Sequence, residues 1–380
     1  VIYLDNAATT PVRREAIEAM WPYLTGEFGN PSSHHTVGEA AARGLAAARA
    51  SVAAVVGARP GDIVFTSGGT EADNLAVKGI SLATPRGRHI VTSPIEHEAV
   101  RESIDHLLRL HGFTVDELPV DVGGRVSPAD LATVIRPDTS LVSIQYANNE
   151  VGTVQPIAEL AAIARAAGAP FHTDAVQAAG WLPLHIDMLG VDALSLAGHK
   201  VGAPKGIGAL VVRGRVPLEP LLNGGGQERA RRSGTENVAG AVAFATALTL
   251  AESERMATAA RVRVLRDRFV AAVLDTAPTA RLTGDADHRL PGTASFVFPG
   301  TSGEAVLLEL ERRGLICSSG SACAAGSDEA SPVLLALGLS AEVAQTAVRF
   351  SFGGAATEDD LKAAAVAVGA AVLAVAGISG

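Results

Sequence analysis

Lys200 is the residue with the most chemistry to offer. It stands in the stretch DALSLAGHKVGAPKGIG, residues 192–208. Ala193 to Ala197 is a run of small apolar residues that reads as a buried parallel strand. Lys200 therefore falls at the carboxyl end of a strand, where open α/β sheets bind their ligands. Its neighbours are too small to wall it off, and its amine suits a Schiff base with an aldehyde cofactor. A solvated loop lysine would be written with the same residues, and this stretch alone does not separate the two.

Other polar residues recur at strand ends. Asp62 to Thr66 reads as a strand running into Ser67-Gly68-Gly69-Thr70-Glu71 and a helix. Strand, glycine turn and helix start make an anion site, with outward N–H groups and the Thr70 hydroxyl. The spacing matches neither a P-loop nor a GxGxxG turn, so a single phosphate fits better than a pyrophosphate. A tight turn capped by threonine is the alternative. His97 opens a helix after the strand His89 to Thr92, and Asn149 follows the strand Leu141 to Tyr146. Asp174 and Gln177 follow the strand Pro170 to Thr173. Three apart at a strand–helix junction, these two can face one ligand. Asp174 is either a helix cap or an anion paired with a protonated ring nitrogen, and Gln177 can donate to a ring oxygen.

The chain has two cysteines. Cys323 lies in SSGSACAAGS, among small residues that leave a thiol accessible as a nucleophile. Cys317 follows Leu315-Ile316 and reads as a buried, inert strand residue. The pair has the wrong spacing, and no nearby histidine, for a metal site.

The elements that position these groups alternate strand and helix. Only about ten residues separate the Lys200 strand from the next, Ile207 to Val212, too few for a parallel crossover, so that pair is expected to be antiparallel. The pattern predicts an α/β fold: a mostly parallel sheet with helices on both faces. An Ala-rich helix is expected from about Val37 to Val56, closed by Gly57. Residues 223–237, NGGGQERARRSGTEN, read as a loop that meets an anion or a partner subunit, or as a plain solvated loop. A long helical stretch with a break is expected from about Val238 to Leu274. Strands at Thr293 to Phe298 and around Arg349 to Phe352, with a helix at Gly303 to Arg313, predict a smaller α+β domain. Thr357 with Glu358, Asp359 and Asp360 marks the start of a terminal helix. Its uncharged Ala- and Val-rich end is too weakly apolar to be expected in a membrane.

Composition narrows the function. Thirty-one basic against 40 acidic residues leave a net charge of −9. That argues against direct nucleic-acid binding. Scarce cysteine fits a reducing, cytoplasmic setting, and the first residues lack the layout of a signal peptide.

The strings LDNAATTP, GNPSSH, FTSGGTEADN, EHEAV, NNEVG, HTDAVQ, GHKVGAPKGIGAL, GGGQER, RSGTEN, SSGSAC and RFSFG follow one another in this order. With them the chain resembles the cysteine desulfurases of the NifS/IscS type, in the class V branch of fold-type I pyridoxal-phosphate enzymes. The resemblance implies a seven-stranded sheet in a large domain, residues 13–255. Residues 1–12 and 256–380 would form the small domain that carries the cysteine loop. It implies that Lys200 binds pyridoxal 5'-phosphate and moves protons, and that Asp174 pairs with the pyridine nitrogen. His97 would stack on the ring and act in acid–base steps, with Asn149 and Gln177 contacting the ring and its oxygen. Gly69, Thr70 and His199 would hold the phosphate, joined by Thr235 from the second subunit of a homodimer. Arg349 would pair with the substrate carboxylate, helped by Asn30 and Asn149. Cys323 would take sulfur from L-cysteine as a persulfide, leave L-alanine and pass the sulfur to an acceptor protein. That acceptor would be an iron–sulfur scaffold or a tRNA-thiolation or DNA-phosphorothioation system. A selenocysteine lyase, another class V aminotransferase or lyase, and a sulfur-relay scaffold are the competing readings. One position departs: Ala197 stands where many relatives have a serine that bonds the phosphate.

Overall fold

Apolar residues fill both faces of the central strands, which is what a sheet covered by helices on each side requires. The structure is a computed structural model and describes residues 1–320 and 329–377. Its strands are β1 (Ile2–Tyr3), β2 (Ile63–Thr66), β3 (His89–Thr92), β4 (Thr114–Glu117), β5 (Thr139–Ser143), β6 (Phe171–Asp174) and β7 (Ala193–Ala197). They continue with β8 (Gly208–Val212), β9 (Arg281–Leu282), β10 (Thr293–Val297), β11 (Leu315–Ile316) and β12 (Ala347–Ser351). Seven of them form one sheet in the order β2-β8-β7-β6-β5-β3-β4. β8 runs antiparallel to both its neighbours, and the other pairings are parallel. The carboxyl ends of β2, β3, β5, β6 and β7 therefore share one edge of the sheet.

Side chains alternate between two cores. Ile63, Phe65, Val91, Val142, Leu194 and Val211 join one cluster, with the helix Thr36–Val56 and the first half of the helix Val238–Thr276. Val64, Ile90, Leu141, Ala193 and Leu210 join the other, with the helix Glu98–His111. Gly57 closes the helix Thr36–Val56 at φ 65°, a left-handed conformation that glycine adopts without a Cβ clash.

The expected antiparallel pairing of β7 and β8 is present. β4 was not legible: it is an edge strand of mixed polarity, and none of its four residues is buried. The helix Val238–Thr276 is continuous where a break was expected. After Gly240 it contains neither Gly nor Pro, so nothing in its sequence interrupts the hydrogen-bond ladder.

A further cluster gathers Leu4, Phe269, Phe296, Phe350 and Phe352 with the helix Glu358–Ala376. Phe269 meets Phe350 and Phe352 edge-on at 5.2 and 5.3 Å between ring centres. Residues 238–251 of the long helix pack with the large sheet, and residues 262–273 with this cluster. β12, β10 and β9 form the small sheet. The N-terminal segment runs beside β12: Ser351 N donates to Leu4 O at 2.7 Å and Asn6 N to Ser351 O at 3.2 Å.

One loop is pinned by a buried charge pair. Arg49 Nη1 and Nη2 each donate to a Glu228 carboxylate oxygen at 2.7 Å, and Phe65 N donates to the same carboxylate at 3.1 Å. Glu228, Arg229 and Ala230 have φ of 48°, 58° and 61°, a run of three left-handed residues without a glycine. Such a run is costly, and the fork from Arg49 offsets it. Replacing Glu228 with Ala strands the guanidinium and frees the strained run. The expected result is a loss of about 3–5 kcal/mol, read as a lower urea midpoint.

Candidate active site

Five strand ends deliver the side chains. Lys200 closes the short turn Gly198–Lys200 that follows β7. Its Nζ donates to the backbone carbonyls of Ala7 and Ala8, the latter at 2.9 Å. Gln177 Nε2 donates to the same Ala7 carbonyl at 3.0 Å. Asp174, the last residue of β6, is buried, and its Oδ1 accepts from Val176 N at 2.8 Å. Burial pushes its carboxyl up, while His97, the Val176 N–H and Lys200 favour the anion. His97 caps the helix Glu98–His111, its Nδ1 accepting from Ala99 N at 3.1 Å. With Nδ1 an acceptor, the neutral ring carries its proton on Nε2, an assignment made from the hydrogen bond.

The phosphate-type turn follows β2. Gly68 turns at φ 158°, and the helix Gly69–Asn74 begins at once. Gly69 carries no side chain, and a Cβ there would meet Val176 Cγ2 at 2.8 Å and Ala197 Cβ at 3.3 Å. Its absence lets this helix start press against the ends of β6 and β7. Thr70 is exposed beside it. His199 Nδ1 lies 3.2 Å from Thr9 Oγ1. Burial, then Lys200 and Lys205, push the His199 ring down to about 4, so it is neutral at pH 7.

Arg349 comes from β12 and is 1% exposed. Its Nη1 donates to Asn149 O at 2.9 Å and Gly320 O at 3.2 Å, and its Nη2 to Asp5 Oδ1 at 2.7 Å. Asn149 thus reaches this region through its backbone. Asn30 and Thr235 are both exposed, and Asn30 Oδ1 accepts from Ser32 N at 2.9 Å. Neither touches Arg349 among the described residues. Arg232, three residues before Thr235, pairs with Glu71 at 2.7 Å and ties that loop to the glycine turn. Cys323 lies outside the described residues.

The arrangement holds a buried carboxyl, a lysine and a histidine near one another, with an arginine across the N-terminal segment. A protonated heterocyclic nitrogen against Asp174 would supply the positive charge its burial calls for. The shaved surface at Gly69 admits a phosphate near the helix start. Pyridoxal phosphate fits these residues.

The family model described as "Aminotransferase class-V" matches residues 2–364. The chain belongs to that family. It is 45% identical over 361 residues to the cysteine desulfurase IscS of Dictyoglomus turgidum, covering 95% of this chain and 91% of the relative. A solved NifS-like protein superposes with a TM-score of 0.90 at 36% identity, covering 97% of this chain and 98% of that one. A structure described as SspA in complex with cysteine superposes at 0.81 and 36% identity, covering 93% and 99%. Class V membership makes the chain dependent on pyridoxal phosphate and agrees with the seven-stranded α/β sheet. Among the described residues no helix is long and apolar enough to cross a membrane.

Beneath the class V site lies a polar group that sequence reasoning missed. His172 is fully buried in β6, with Nδ1 2.9 Å from Ser143 Oγ and Nε2 2.9 Å from Ser195 Oγ. Asp73 Oδ1 lies 3.8 Å from His172 Nε2 and has no hydrogen-bond partner among the described residues. Burial, with the Asp174 charge nearby, pushes the Asp73 carboxyl well up. Both hydroxyls sit in apolar strands, and nothing in sequence pairs them with the histidine.

Two outcomes follow from this geometry. The Ala197→Ser substitution places a hydroxyl beside Gly69, and cofactor rebinding followed by absorbance should tighten about fivefold, roughly 1 kcal/mol. Burial holds His172 down to about 3 against an ordinary 6.5. The unfolded chain therefore binds the extra proton between these values, and stability falls as pH drops below 6.5. The slope approaches about 1.4 kcal/mol per pH unit for this one group, and a His172→Gln variant should lose that part of the urea-midpoint dependence.

Proposed function

We propose that this chain is an L-cysteine desulfurase that moves the sulfur of L-cysteine onto Cys323. The reaction breaks the substrate Cβ–S bond, forms an S–S bond on Cys323 and leaves L-alanine, so atoms balance without an external oxidant. The observation that carries this reading is the 45% identity to a named cysteine desulfurase across 95% of the chain. The convergence of Lys200, Asp174, His97 and Arg349 supports it.

Pyridoxal phosphate, when bound, supplies an electron sink conjugated to the substrate nitrogen. The chain's residues do the rest. Lys200 anchors the cofactor and carries protons on Nζ. Asp174 would pair with the ring nitrogen, and His97 would stack on the ring with its Nε2 proton. Gly69, Thr70 and His199 receive the phosphate, and a neutral His199 does so as a hydrogen-bonding group. Arg349 takes the substrate carboxylate, a planar donor for a planar acceptor.

The assembly and setting belong to the same proposal. A homodimer would bring Thr235 of one subunit to the phosphate of the other, and the exposure of Thr235 and the pinning of its loop support that. The division near residue 255 falls where the long helix passes from one core to the next. The sulfur acceptor is an iron–sulfur scaffold or a tRNA-thiolation or DNA-phosphorothioation system, in a cytoplasmic setting.

With L-cysteine and a reductant, the wild type should release alanine and sulfide in equal amounts. Cys323→Ala should release neither while keeping the visible cofactor band. Sulfide release by that variant at the wild-type rate would overturn the role of Cys323.

A further inference from the structure

The guanidinium of Arg349 has five N–H donors, and the described residues engage only some of them. Nη1 is used by the carbonyls of Asn149 and Gly320, and Nη2 by the Asp5 carboxylate. Nε is buried and has no hydrogen-bond partner among the described residues. A donor left unpaired out of reach of water is uncommon in a native fold and calls for an explanation. The Nε side of a guanidinium is one of the two edges that take a carboxylate with parallel hydrogen bonds. The three acceptors already in place are all on Nη1 and Nη2.

Asp5 reaches Arg349 because the N-terminal segment lies along β12. Ser351 N donates to Leu4 O, and Asn6 N donates to Ser351 O. Two and three residues beyond Asp5, the carbonyls of Ala7 and Ala8 accept from Lys200 Nζ. One short segment, Leu4 to Ala8, thus touches the arginine through a side chain and the lysine through its backbone. An α-amino acid presents its nitrogen and its carboxylate on adjacent carbons, so these two receptors need a fixed separation. A buried guanidinium also needs a counter-charge when no substrate is present. The Asp5 side chain, 18% exposed, supplies one.

We infer that Asp5 is the positioning residue of the carboxylate subsite, holding Arg349 so that its Nε edge receives the carboxylate of an α-amino acid. The inference rests on the reading of Arg349 as the carboxylate receptor. It makes Asp5 a determinant of selectivity for amino acids over plain amines.

The test uses the holoenzyme and two probes, L-cysteine and cysteamine, which lacks the carboxylate. The KM for L-cysteine and the inhibition constant of cysteamine are measured for each variant. Asp5→Ala should raise the KM about tenfold or more, the scale of a hydrogen bond to a charged group, with kcat changed less. The cysteamine constant should stay within about twofold of the wild type, well inside that scale. Asp5→Asn keeps an acceptor at Nη2 and should recover most of the KM. Equal changes for both probes, or an unchanged KM in Asp5→Ala, would overturn the role of Asp5. Should Asp5→Ala lose its visible cofactor band, Asp5→Ser carries the same expectation. Arg349→Lys separates the two claims. If it leaves the ratio of the two constants unchanged, Arg349 is not the carboxylate receptor and both readings fall. If it shifts the ratio and Asp5→Ala does not, only the Asp5 inference falls.

Discussion

The contact between Lys200 Nζ and the carbonyls of Ala7 and Ala8 ties the start of the chain to the carboxyl edge of the large sheet. A lysine at the end of an apolar strand cannot be left in low dielectric without acceptors. The acceptors come from the N-terminal segment, which must then lie across the carboxyl edge of the large sheet. That placement carries the same segment to β12, where Leu4 and Asn6 bond Ser351 and Asp5 meets Arg349. Gln177 shares the Ala7 carbonyl, so the segment is also tied to the turn after Asp174. Five residues near the start of the chain therefore bridge Lys200 and Arg349.

Small residues set the remaining distances. The helix start at Gly69 can press onto Val176 and Ala197 because none of the three has bulk to spare. A serine in place of Ala197 would add a donor to the phosphate region, and the methyl group trades that donor for an apolar contact. The charges above are balanced by neutral groups below. His172 is held neutral between two serine hydroxyls, and the Asp73 carboxyl is pushed toward its protonated form. Keeping that layer uncharged removes a like charge from beneath the Asp174 carboxyl.

Much of the fold was legible because most strands of the large sheet are short runs of apolar and small residues ended by glycine or by polar residues. β3 and β7 fall on the residues expected, and the short link to β8 dictated its direction. β4 escaped because its four residues alternate neither clearly nor apolarly, as suits an edge. The candidate site was legible where a polar residue stands at or shortly after a strand end, as with Asp174, His97 and Lys200. Asp5 was visible only as part of a loop, and its partner lies 344 positions away. Asp73, Ser195 and His172 were hidden for a related reason: their pairing is made across strands and helices, and each looks ordinary in its own segment. The αL run at Glu228 could not be foreseen either, since it depends on Arg49 from another helix.

The two thiols are not equivalent, and the structure says why for one of them. Cys317 follows β11 directly, and its neighbour Ser318 exchanges backbone hydrogen bonds with Arg349 in both directions. Burial pushes its thiol up to about 12, with Asp5 adding to the effect and Arg349 opposing it. A sulfur nucleophile must ionise near neutral pH, and it must reach first a substrate and then an acceptor. Cys317 ionises far too late and is fixed by the ladder beside it. The Asp5–Arg349 ion pair thus lies near a thiol that stays protonated at neutral pH. The sequence has two cysteines, and burial withholds Cys317 from thiolate chemistry near neutral pH.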